Sequence, residues 1–229
     1  MRPALFTLPV AMLLTAPLAA HASDDSEERQ LASFHAVDTS GGIAIVASAA
    51  PTQKVEVRAS AADRADLLTE VKDGVLHVGW KQHFGFSSHH SGSVVIAVPK
   101  LDDVEASGGA HATLSGLALE HAGASGGSSI QAADQKGKLK VELSGGASAT
   151  VSGAGVDSLA VEGSGGAEFH AFGLPARAVN VSGSGGARFE VQPSDALAVD
   201  ASGGATVIVH GQPKAVTKDV SGGATVIFK

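Results

Sequence analysis

The 229-residue chain contains no cysteine. That absence excludes disulfides, zinc–thiolate centres and a lipid-modified cysteine behind a leader, so the fold must hold by packing alone. Basic residues are few, 16 Lys and Arg against 23 Asp and Glu, which leaves no electrostatic footprint for a nucleic acid. No apolar run reaches the roughly 20 uninterrupted residues that a bilayer span needs; the run from Ala4 to Ala20 is broken by Pro9 and Pro17. Reaction motifs are missing too. There is no nucleophile-elbow sequence, and no Lys-Ser/Thr follows the glycines as a phosphate loop requires.

What is present begins with an address. Residues 1–22 read as a secretory signal, with Arg2 as the charged start, the apolar run after it and Ala20-His21-Ala22 as a small-x-small cleavage site. Loss of Arg2 with this segment takes the net charge from −7 to −8. Export is expected, to the periplasm, the outer surface or the medium. Residues 23–30, with Asp24, Asp25, Glu27 and Glu28 together, have nothing apolar to bury and are expected to be a disordered acidic leader.

Residues 31–100 form a β-rich opening, either the first part of the following architecture or a cap on it. Strand patterns occur at Phe34–Val37, Ile43–Val46, Lys54–Arg58, Leu67–Lys72, Val75–Trp80 and Val94–Val98, and one helical turn fits within Ala61–Leu68. Asp73-Gly74 is the clearest joint, a two-residue hairpin turn in which both residues need positive φ. Between Trp80 and Ser93 a segment rich in histidine and aromatics breaks every periodicity around it. It reads as a protruding loop. Trp80, Phe84 and Phe86 are candidate aromatic anchors for a partner, and His83, His89 and His90 are a weaker candidate for a transition metal.

From residue 101 to 229 the chain repeats. Ser-Gly-Gly triplets begin at Ser107, Ser125, Ser144, Ser164, Ser184, Ser202 and Ser221, spaced 18, 19, 20, 20, 18 and 19 residues apart. Counting each serine as zero, positions +3, +5 and +7 are nearly all apolar, as in Ala147/Ala149/Val151 and Ala187/Phe189/Val191, whereas +4 and +6 are mostly polar. Upstream, Val141/Leu139 and Val161/Leu159 show the same alternation. A period of two on both sides of the triplet means two short strands per repeat, each with one buried face. Such a pair is stable only if every turn stacks on its copy, which predicts an all-β parallel solenoid of about seven ~19-residue turns with glycine corners. A propeller blade would need roughly 40 residues.

The signal segment, the strand-rich opening that closes on Ile96-Ala97-Val98-Pro99-Lys100-Leu101, and the Ser-Gly-rich turns together resemble a bacterial family, the putative auto-transporter adhesins with a head GIN domain. The resemblance covers roughly residues 34–229. It implies a right-handed parallel β-helix in the cell envelope and carries no catalytic residues. The family's usual Ser-Gly-Ser-Gly followed by Asp or Asn is kept here only in part, as Gly-Ser-Gly-Gly at Gly163–Gly166 and Gly183–Gly186, with alanine next.

Two outward features are candidates for binding. Position −2 reads Glu105, Gly123, Glu142, Glu162, Ser182, Asp200 and Asp219. In-register carboxylates one strand spacing apart repel, and calcium bridging Glu142 to Glu162 and Asp200 to Asp219 would relieve this; salt and Lys140, Lys214 or Lys218 would do so equally. At +6 the final repeats place Ile208 and Ile227 outward, and Val226-Ile227-Phe228-Lys229 reads as an uncapped edge strand, expected to self-associate or meet a partner. The function expected is a non-catalytic binding, adhesion or scaffold module directed at a glycan or protein of the cell envelope. The alternative is a carbohydrate-active β-helix enzyme, disfavoured because Arg58, Arg64, Arg177 and Arg188 fall on different phases of the pattern.

Overall fold

The structure, a computed structural model, describes residues 26–81 and 90–229. The signal segment and most of the histidine-rich loop, Phe84 and Phe86 included, lie outside the described residues.

The repeat folds as its alternation demands. Strands that precede a triplet stack in one parallel sheet: β8 (Asp103–Ala106), β10 (His121–Ala124), β12 (Lys138–Leu143), β14 (Val156–Gly163), the second halves of β15 (Glu168–Gly183) and β16 (Arg188–Ala201), and β18 (Ala215–Val220). Strands that follow a triplet stack in a second: β9 (His111–Ser115), β11 (Ser129–Ala132), β13 (Ser148–Val151), the first halves of β15 and β16, β17 (Thr206–Val209) and β19 (Thr225–Phe228). Seven triplets are seven corners and therefore bound about six turns of solenoid, one fewer than expected.

The corners at Ser107, Ser125, Ser144, Ser202 and Ser221 are β-turns closed by the +3 amide on the serine carbonyl, as Ala147 N donates to Ser144 O at 3.3 Å. The first glycine must be glycine for two reasons. Its φ is positive, +69° at Gly145 and +72° at Gly165, and a Cβ at Gly165 would lie 3.1–3.4 Å from the backbone of Gly145 stacked beside it. In the later turns the second glycine closes the ladder between corners, Gly166 N donating to Gly145 O at 2.8 Å.

Inside, position −1 is fitted to +5. A Cβ at Gly163 or Gly183 would stand 2.6 Å from the ring of Phe189, which is fully buried with Phe169. Where +5 is only Ala149, −1 is Leu143. The Gly-Ser-Gly-Gly variants are thus a packing solution for the Phe189 ring, which two successive layers must admit to a narrow core.

The opening segment joins the same column. β2 (Ala36–Thr39) and β3 (Ala44–Ala49) flank an eighth triplet, Ser40-Gly41-Gly42, and pair in parallel with β8 and β9. The chain then departs through β4 (Lys54–Ala59), α1 (Ala61–Asp66) and β5 (Leu67–Lys72), and returns as β6 (Val75–Trp80) and β7 (Gly92–Val98), which stack beyond β2 and β3. Asp73 and Gly74, at φ +51° and +79°, make the expected hairpin between β5 and β6. Ser60 caps α1, accepting from Asp63 N at 3.1 Å.

The acidic leader is not wholly disordered. Ser26–Glu28 form β1, antiparallel to β4. Its glutamates are paired at the surface: Glu27 meets Arg29 and Arg64 at 3.3 and 3.6 Å, and Glu28 meets Lys54 at 3.4 Å. Composition alone missed these pairings because Lys54 and Arg64 come from distant strand and helix.

Candidate functional site

The stacking turns position −2 into a physical column. Strand register places Asp38, Glu105, Gly123, Glu142, Glu162, Ser182, Asp200 and Asp219 side by side in successive layers. His77 extends it one layer further, its Nδ1 3.1 Å from Asp38 Oδ2. Beside the column, where the strands bend into the corners, runs an open groove of about 550 Å³ lined by Glu105, Glu142, Glu162, Asp200 and by serines such as Ser144, Ser164 and Ser184.

The repulsion expected along this column is answered partly by its neighbours at position −4. Lys140 Nζ lies 2.6 Å from Glu142 Oε1 and 3.2 Å from Glu162 Oε1, in the place a bridging cation would take. These hydrogen bonds hold the Lys140 ammonium above its usual pKa. The Lys140 bond, followed by one from His121, holds the Glu142 carboxyl below the usual carboxylate range. Asp200 and Asp219 share a register position farther along.

Around His121 the charges crowd most. Its Nδ1 lies 2.9 Å from Asp103 Oδ1 and 3.4 Å from Glu105 Oε1, and its Nε2 2.8 Å from Glu142 Oε2. An acceptor at each ring nitrogen calls for a proton on each. Burial disfavours that charge, but the hydrogen bonds that His121 donates to Asp103 and Glu142 outweigh it and raise the His121 pKa. Glu105 moves upward, chiefly through burial and then through Asp103 and Glu142, against the pull of His121. The glycine at 123, which reads as a gap in the acidic pattern, is where Glu105 goes: a Cβ there would sit 2.1–2.4 Å from its carboxylate.

Asp103 and His121 were legible in principle. They stand four residues before Ser107 and Ser125, hence at one phase in adjoining turns, but a reading confined to −2 passes over them. Asp38 was missed because its triplet lies 67 residues before Ser107, outside the 18–20-residue period.

The remaining candidates disperse. Trp80 is pinned to the body: Nε1 donates to Gly41 O at 2.8 Å and the ring stacks on His90 at 4.8 Å. Ile208 is buried at 3 % exposure, so of the two isoleucines Ile227, at 41 %, is the one at the surface. Among the described residues no helix is long and apolar enough to cross a membrane.

In solved structures the same architecture recurs. A putative adhesin from Bacteroides fragilis is similar with a TM-score of 0.81 at 16 % identity, over 89 % of this chain and 96 % of that one. A putative adhesin from Parabacteroides merdae gives 0.69 at 21 %, over 90 % and 95 %. A putative lipid binding protein from Parabacteroides distasonis gives 0.68 at 15 %, over 90 % and 96 %. At such identities the likeness establishes the fold alone. No curated protein is similar to the chain. The sequence profile described as "putative auto-transporter adhesin, head GIN domain" matches residues 33–213, and with the stacked Ser-Gly-Gly corners it identifies the chain as a member of that family.

Proposed function

We propose that this chain is an exported, non-catalytic adhesion module that takes an extended polymer of the cell envelope, rich in hydroxyl and amine groups, along the corner groove. The observation that carries the reading is the groove itself, in which carboxylates and serine hydroxyls recur layer after layer. A repeating ligand would meet the same acceptors at each ~4.8 Å step, so weak contacts could add along its length. The family's description and two of its structural neighbours' names point toward adhesion, and the third names a lipid-binding protein.

The electrostatics argue against the alternative, a lyase or hydrolase. A catalytic lysine base needs a lowered pKa, whereas Lys140, the lysine beside the groove acids, is raised by Glu142 and Glu162. Arg177 pairs with Asp157 and Asp195, and Arg188 with Glu190, away from the column.

Glycan-array binding tests the reading. The intact chain should retain hydroxyl- and amine-bearing glycans, and Ser164→Arg with Ser184→Arg, which fills the groove, should lose them. Equal binding by both proteins would remove the groove from the function. Turnover of an acidic polysaccharide, abolished by Glu142→Gln, would establish the enzyme reading instead.

A further inference from the structure

We infer that Asp103, Glu105 and His121 form a binding site for a divalent transition metal of the zinc type. One ligand atom from each lies within 4.8 Å of the other two. His121 Nδ1 is 2.9 and 3.4 Å from the two carboxylate oxygens, close to the roughly 3.3 Å edge of a tetrahedron with ~2.0–2.1 Å bonds. The metal would take the place of the Nδ1 proton, which leaves to water, and a water would complete the shell. Imidazole with carboxylates favours zinc over calcium, whose sites are built from oxygen alone.

Two independent observations separate this cluster from an ordinary acidic patch. The first is behind the histidine: Nε2 faces Glu142 Oε2 at 2.8 Å, the carboxylate–histidine–metal arrangement that fixes the tautomer and turns the opposite nitrogen toward the ion. Glu142 is anchored in turn by Lys140. The second is the missing side chain at Gly123. It leaves the pocket into which Glu105 folds, and any Cβ there would strike the carboxylate at 2.1–2.4 Å. Entry is open from solvent, the side chains of Asp103 and Glu105 being 42 % and 50 % exposed.

The site is distinct from the calcium bridges expected at Glu142/Glu162 and Asp200/Asp219, and it does not depend on the adhesion reading. Its test is titration calorimetry of the tag-free full chain with zinc chloride, alongside cobalt(II) absorption spectra. His121→Ala and Asp103→Asn should each remove one equivalent of zinc and the matching visible cobalt bands. Glu142→Ala should weaken that equivalent about tenfold, and Gly123→Ala should weaken it through Glu105. Asp219→Asn should leave it unchanged. An unchanged zinc stoichiometry in both His121→Ala and Asp103→Asn overturns the proposal. So does displacement of zinc by an equal concentration of calcium, which would mark a carboxylate site for hard cations.

Discussion

The two ends of the column are built from the same kind of layer and finished differently. At one end β6 and β7 are followed outward by β5 and β4, both antiparallel to them, with β1 laid on β4. At the other, β18 and β19 form the outermost described layer, and among the described residues no strand pairs with their outer edge. Val216, Val220, Ile227 and Phe228 are 40–44 % exposed there, whereas Val55 and Val57 of β4 are buried to 1 % or less. A parallel layer presents the same edge it used, so it invites another copy. The antiparallel strands break that repetition, and Lys54, Glu56 and Arg58 of β4, with Glu27 and Glu28 of β1 at the edge, put charge on this end.

Matched substitutions at the two ends should diverge most. Val57→Asp buries an unpaired carboxylate under the cap and should cost about 4 kcal/mol or more, while Val216→Asp should stay within about 0.5 kcal/mol. Urea denaturation followed by circular dichroism measures both, and equal losses would mean that the last layer is covered in solution.

Coverage by a second copy can be read directly. Two edges related by a twofold axis would pair antiparallel, as β4 does on β7. Light scattering should then give the intact chain a mass above the monomer, and Ile227→Lys should restore the monomer. Two monomeric profiles would leave the asymmetry of the ends intact.

The smallest effect is one of pH. The hydrogen bond from Arg58, helped by Lys54 and opposed by burial, holds the Glu56 carboxyl below the usual carboxylate range. Its contribution to the cap is therefore complete above that range and is lost as pH falls through the lowered value. Hydrogen exchange should show β4 and β1 amides losing protection in acid relative to those in the middle of the column. Uniform loss would show that the cap charges contribute nothing separate.

Much of the repeat was legible because its constraints are local. Alternation assigned the faces, and the positive-φ glycines at Gly145 and Gly165 assigned the corners. The hairpin at Asp73-Gly74 was equally plain. The opening was harder, since the detour from β4 to β7 separates Ser40 from the later triplets and hides both the eighth corner and Asp38. Ile208 shows the limit of phase arguments: an outward position in the pattern is nonetheless buried.

For the site, the sequence by itself determined that acids recur at one phase and that such a chain must stack to bury its strands. Tertiary structure decided which charges meet. His121 and Asp103 are 18 residues apart, and His121 and Glu142 are 21; only stacking converts those intervals into contacts of 2.9 and 2.8 Å. It also turned Gly123 from a gap in the acidic column into the space that Glu105 occupies. Side-chain reach across layers depends on the exact register of neighbouring turns, and that register is a property of the folded column rather than of any one repeat.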